Sequence, residues 1–186
     1  MRKIVVSEFV TLDGVMEDPG GGEGFEHGGW SFKFPSDQAM KVKYDELFAA
    51  DALLLGRVTY EGFAAAWPSM ADESGFADRM NGLPKHVVST TLQKADWNNS
   101  TVIGENVAEE VAKLKEQPGQ DILVAGSARL IRTLREHGLV DEYRLMVHPI
   151  VLGSGKRLFE GGAPTTLELV GSQDLGSGIV LLTYRA

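Results

Sequence analysis

Three short segments hold the residue types best suited to grip a phosphate chain. Leu55-Gly56-Arg57-Val58-Thr59-Tyr60 joins a glycine to a cation and a hydroxyl. The glycine lets a ligand approach the backbone, and a helix starting there presents free amides to an anion. Arg57 adds a forked donor and Thr59 a hydroxyl. Val88-Ser89-Thr90-Thr91 sets three hydroxyls after an apolar run, placed to bond a phosphate or ribose or simply to cap a strand end. Val124-Ala125-Gly126-Ser127-Ala128-Arg129 passes through small residues into a helical pattern. Small residues there admit a pyrophosphate to the helix amides, or let helix and sheet pack tightly. Each segment alone also fits a structural role. Together, on successive strand ends, they describe a site for the phosphates of a dinucleotide.

Two acids stand out. Asp13, in Thr11-Leu12-Asp13-Gly14, suits either substrate binding or an Asp-Gly turn. Asp37, after Pro35-Ser36, suits either an acid role or the positive end of a helix dipole. Other chemistries lack their signatures. There is no cysteine and no G-x-S-x-G nucleophile turn, and His27, His86, His137 and His148 show no metal-ligand spacing. Gly153-Ser154-Gly155-Lys156 is followed by Arg157, so it lacks the Ser or Thr and the spacing of a P-loop. The G-x-G-x-x-G dinucleotide fingerprint is also missing, which argues against the common dinucleotide fold.

The elements that must position these residues read as alternating strands and helices. Strands are expected at Lys3–Phe9, Ala52–Leu55, Lys85–Ser89, Asp121–Ala125, Glu142–Val151, Thr166–Val170 and Ile179–Arg185. Between the first two lies a glycine-rich loop, Gly14–Gly29, either a surface excursion or a lid. Ser36 is placed to cap a helix with Met40, Tyr44, Leu47 and Phe48 on its inner face. Further helices are expected over Arg57–Ala66, from Asn106 with Glu109 completing a capping box, and over Ser127–His137 with Gly138 at its end. Ala71–Gly82 reads as irregular. The alternation predicts an α/β fold: a mixed, mostly parallel sheet flanked by helices. A short Gly176-Ser177-Gly178 link makes the last two strands an antiparallel hairpin at one edge. Ile179-Val180-Leu181-Leu182 would then expose apolar side chains on both faces, so a second copy of the chain is expected to cover them.

With 186 residues the chain is expected to form a single domain, residues 1–186. Its net charge of −8 argues against a general nucleic-acid binder. No apolar run approaches the roughly 20 residues of a membrane span, so a soluble, cytoplasmic protein is expected.

At this point the sequence resembles the dihydrofolate-reductase superfamily. The three segments resemble the NADPH-binding segments of those enzymes. Ser7 to Met16 resembles the substrate-side loop of the riboflavin-biosynthesis reductase branch. So do Gly138-Leu139-Val140-Asp141-Glu142, His148-Pro149-Ile150-Val151-Leu152-Gly153-Ser154-Gly155 and Leu158-Phe159 for that branch's C-terminal signature. The resemblance implies NADPH as cofactor and hydride transfer to a heterocyclic C=N or a related carbonyl. Arg57 with Ser89, Thr90 and Thr91 would hold the 2′-phosphate, with Gly56, Val58 and Thr59 beside them. Ala125, Gly126, Ser127, Ala128 and Arg129 would lie along the pyrophosphate. Asp13, Asp37, Trp30, Tyr60 and Val151 would serve the substrate side, and a homodimer is implied. Three departures stand out: Ser127 where the family often has a second glycine, Ile131 in place of an aromatic, and no arginine near Leu83-Pro84-Lys85-His86 to clamp a folate tail. A true folate reductase and a nucleotide-binding scaffold without turnover are the alternatives.

Overall fold

Alternating apolar residues set the frame. In β1 (Ile4–Thr11), Ile4, Val6 and Val10 face one side of the sheet while Val5 and Phe9 face the other. That is the two-residue period of a strand covered on both faces. The computed structural model describes residues 1–186. Seven strands join the first: β2 (Ala50–Gly56), β3 (Lys85–Val88), β4 (Ser100–Ile103), β5 (Asp121–Val124), β6 (Glu142–His148), β7 (Glu168–Asp174) and β8 (Val180–Arg185). They form one sheet in the order β4-β3-β2-β5-β1-β6-β8-β7. The six strands from β4 to β6 pair in parallel, and β8 and β7 add an antiparallel hairpin.

Helices cover both faces, as parallel crossovers require. Leu47 of α1 (Asp37–Ala49), Tyr60 of α2 (Arg57–Ala66) and Met80 of α3 (Phe76–Gly82) pack on Val5, Leu53, Leu55 and Val87. On the opposite face, α4 (Val107–Glu116) and α5 (Ala128–Glu136) bury Val111, Leu114, Leu130, Ile131 and Leu134 against Val6, Leu54 and Val124. No helix is long and apolar enough to cross a membrane.

Several expectations need correction. Ile179–Leu182 is not an open edge. β8 is paired on both sides, and Ile179 and Leu181 pack with Ala39 and Met146. The hairpin folds back so that its apolar strand lies beside β6, and the more polar β7 takes the edge. Ser36 caps α1 as expected, its Oγ accepting from the Ala39 amide at 3.0 Å. Leu47 is buried as expected, but Met40 and Phe48 are exposed, and α1 buries Ala39 and Glu46 with Leu47. The buried stripe is turned because Ser7 of β1 donates to the Glu46 carboxylate at 2.7 Å. Asn106 starts α4 in a left-handed conformation and its side chain caps nothing. Part of Ala71–Gly82 is helical, and β4 has no counterpart in the expected strands. β6 stops at His148, before Pro149.

A buried lysine ties down the β3 side of the sheet. Lys85 is fully buried, and its ammonium donates to the carbonyls of Asn81, Leu83 and Asn98 at 2.9, 2.8 and 3.0 Å. It also lies 4.1 Å from the Trp97 ring centre. Lys85→Met keeps the length but leaves three carbonyls without their donor. It should cost about 1–3 kcal/mol of stability, read as a lower denaturation midpoint in urea.

Candidate functional site

The three phosphate-gripping segments come together because their strands are neighbours. β2 lies between β3 and β5, and all three run the same way. Gly56, Ser89 and Ala125 therefore sit at one rim of the sheet. Loops at the carboxyl ends of parallel strands are where α/β sheets bind ligands.

At that rim the backbones touch. The Gly56 amide donates to the Gly126 carbonyl at 3.0 Å. A Cβ on Gly56 would come within 2.3 Å of Ser127 Oγ, and one on Gly126 within 2.6 Å of Thr59 Oγ1. Gly126 also has φ +102°, which L side chains rarely adopt. These two glycines thus let the first turns of α2 and α5 lie side by side. No side chain caps α2, whose N-cap is Gly56. On α5, Ser127 Oγ accepts from the Leu130 amide at 3.4 Å. The Gly126–Ser127 peptide is cis.

Arg57 is exposed and pairs with Glu61 one turn on, at 2.9 Å. Ser89 is buried and turns its hydroxyl inward, accepting from the Thr91 and Leu92 amides at 3.2 and 2.9 Å. Thr90 and Thr91 are exposed beside it. Val58 is half-buried in α2, and Arg129 is exposed in the first turn of α5 after half-buried Ala128.

The residues expected on the substrate side scatter. Tyr60 is buried, and its hydroxyl accepts from the Trp97 amide at 2.9 Å. It anchors the segment after Ser89. A cavity of about 760 Å³ lies on that flank, lined by Tyr60, Asn81, Lys94 and Trp97 among others. Trp30 is fully buried, donating from its indole nitrogen to the Glu17 carbonyl at 2.9 Å and meeting His148 edge-on at 5.1 Å. Phe9 and Phe34 also surround His148, whose burial holds it below its ordinary value. Val151 is exposed, and Asp37 is exposed in the first turn of α1.

Asp13 is a clamp. Its carboxylate accepts from the Thr11 hydroxyl at 2.5 Å and from the amides of Leu152 and Gly153 at 3.2 and 2.8 Å. Arg157 lies 3.7 Å from it. The Thr11 hydroxyl first, then the Gly153 and Leu152 amides, hold its pKa near 2 against the opposing effect of burial. A carboxylate so engaged fixes the loop after β1 to the loop after β6.

One residue at the rim escaped the sequence reading. Glu8 sits in the otherwise apolar series Ile4, Val6, Val10 and is only 6% exposed. Its Oε1 is buried without a hydrogen-bond partner. Burial pushes its carboxyl up to about 8, and Glu23 and Glu46 push the same way. The Lys43 ammonium and the Gly126 amide oppose them. An acid at an inward position of an apolar strand was the available signal. A second polar group lies on the other face, where Lys43 donates to Ser7 and pairs with Glu46 at 3.3 Å.

Fold and rim together define a protein with a dihydrofolate-reductase-like, reductase-type architecture. A family model described as the RibD C-terminal domain matches residues 2–181, and the chain belongs to that family. The uncharacterized protein YyaP of Bacillus subtilis is 35% identical over 188 residues, covering 99% of this chain and 95% of that protein. Among solved structures, a Shewanella sp. PV-4 protein named for riboflavin biosynthesis superposes with TM-score 0.77 at 19% identity, covering 98% of both chains. Dihydrofolate reductase from Enterococcus faecalis, complexed with NADP(H), superposes with TM-score 0.62 at 14% identity over 98% of this chain and 95% of that one.

The clamp makes a pH prediction. The Asp13 pKa is depressed in the fold, so its contribution is present above about 3.9 and is lost as pH falls toward 2. Asn keeps one acceptor oxygen and loses the charge. Asp13→Asn should cost about 1–2 kcal/mol at pH 7. Urea unfolding should show that difference shrinking between pH 5 and pH 2, while a constant difference would remove the charged clamp.

Proposed function

We propose that the chain is an NADPH-dependent reductase acting on a small heterocycle, pteridine- or pyrimidine-like, or on a related carbonyl. The observation that carries this reading is the contact between Gly56, Thr59, Gly126 and Ser127. It brings two helix N-termini to one rim, where two glycines and the small Thr59 and Ser127 hydroxyls meet, an arrangement suited to a pyrophosphate. The E. faecalis enzyme, with NADP(H) bound on the same fold, supports it.

In this reading the first turns of α2 and α5 hold the pyrophosphate. Arg57, leaving Glu61, meets the 2′-phosphate with Thr90 and Thr91, while Ser89 stiffens their turn. Bound there, the cofactor supplies the hydride. The chain orients it and excludes water. Trp30 and Tyr60 hold the walls of the site. Asp13 positions the loop that faces the substrate, and Asp37 offers a free carboxylate at the start of α1.

NADPH should bind more tightly than NADH by roughly 1.5–3 kcal/mol, the range for a charge-assisted contact. Arg57→Ala should narrow that gap. Fluorescence titration of both cofactors checks it, and equal affinities in the wild type would remove the 2′-phosphate assignment.

We also propose a homodimer, with β7 as the joining edge. β7 pairs only with β8 and exposes Leu169 and Val170. A strand edge with free backbone groups and apolar side chains invites a second chain. The paired surface should bury at least about 1,000 Å² in total. Light scattering at micromolar concentration should give twice the chain mass, and a proline at Val170 should lower it to one.

A further inference from the structure

Glu8 is a buried acid at the rim whose Oε1 the fold leaves without a partner. Its strand fixes where it lies. Val6 pairs with Val124 on one side, and Glu8 pairs with Leu145 on the other. Two residues beyond Val124, β5 has already turned toward α5, so Glu8 stands level with Gly126 at the point where the sheet opens. Its Oε1 is buried with no partner, although a buried polar group without one is costly. The charges of Lys43 and Glu46, on α1 across the sheet, and of Glu23 in the glycine-rich loop reach it, as does the Gly126 amide.

The placement selects a ligand group. A pyrophosphate on the α2 and α5 amides directs the rest of the dinucleotide along the rim from β5 toward β1. The reducing end carries a primary carboxamide, with an N–H₂ donor and a carbonyl acceptor side by side. A carboxylic acid carries the complementary pair, an O–H donor and a carbonyl acceptor. We infer that Glu8, in its protonated form, anchors the nicotinamide carboxamide through a paired hydrogen bond, its O–H donating to the amide oxygen and its Oε1 accepting from the amide nitrogen. This rests on the NADPH reading above. Ionised Glu8 loses the donor and turns a second acceptor toward the amide oxygen. Protonation near neutrality keeps the pair intact, and it follows first from burial, with the Glu23 and Glu46 charges pushing the same way.

The test uses the full chain and binding alone. Affinity is measured for NADPH and for the fragment 2′-phospho-ADP-ribose, which keeps the phosphates but lacks the nicotinamide. Wild type, Glu8→Gln and Glu8→Leu are compared at pH 6.5 and 9.5, with thermal melting to confirm that each variant is folded. In the wild type, NADPH should weaken at least fivefold more than the fragment between the two pH values. Glu8→Gln, which keeps a donor and an acceptor, should bind NADPH near the wild-type pH 6.5 value at both. Glu8→Leu should lose about tenfold for NADPH and nothing for the fragment. Equal losses for NADPH and fragment, or a pH dependence that survives in Glu8→Gln, would overturn the anchor while leaving the cofactor reading standing. A wild type that binds neither would overturn the cofactor reading and the anchor with it.

Discussion

A single backbone hydrogen bond, from the Gly56 amide to the Gly126 carbonyl, governs the geometry of the rim. It extends the pairing of β2 with β5 one step past the end of β5 and pins the two following helices side by side. Side chains on either glycine would push the helices apart. The hydrogen-bonding capacity of both first turns therefore converges on one place. The packing beneath serves this contact: Leu54 and Val124 are completely buried next to each other, and Leu130 and Ile131 hold α5 against them.

The loops add a second constraint. Asp13 bonds the turn after β1 to the segment after β6, and Trp30 closes over His148 from the end of the glycine-rich loop. His148 donates from Nδ1 to the Met146 carbonyl at 2.9 Å, and the rings of Phe9, Trp30 and Phe34 surround it. A neutral imidazole held this way is a packing residue. The acids divide in the same manner. Asp13 is fully engaged and ionised, whereas Glu8 is buried, partly unpartnered and held protonated to higher pH.

Much of this was legible in the sequence. Apolar runs separated by helical patterns predicted a mostly parallel sheet, and the glycines and hydroxyls after three of those runs marked the rim. The order of strands was not legible, because periodicity reports which face a residue takes and not which strand lies beside it. The misplaced edge at Ile179–Leu182 follows from that: an apolar strand near the end of a chain need not be at the end of a sheet. α1 misled because Glu46 looks like a surface residue until Ser7, Lys43 and Arg144 are seen around it. Asp13 and Glu8 show the same limit in opposite directions. An Asp-Gly pair suggested either substrate binding or a turn, and its carboxylate accepts from amides 139 and 140 residues away. A lone acid in a strand looked like an interruption, and its setting depends on Gly126 and Glu23, which only the fold brings near.

The placement of β1 also bears on how the chain reaches this fold. β1 precedes the other strands of the sheet in the chain, yet its partners are β5 and β6, and the Ile4 amide bonds to an Asp141 carboxylate 137 residues later. Local pairing cannot begin with it. As synthesis proceeds, β2 and β3 can find one another early, while the apolar Ile4–Val10 run waits with both edges bare until residues 121–148 have emerged. Contacts of such long range slow folding, and an unpaired apolar strand is prone to association with other chains in the interval. Crowded or overproduced chains would therefore fail first at β1, whose partners come late in the chain.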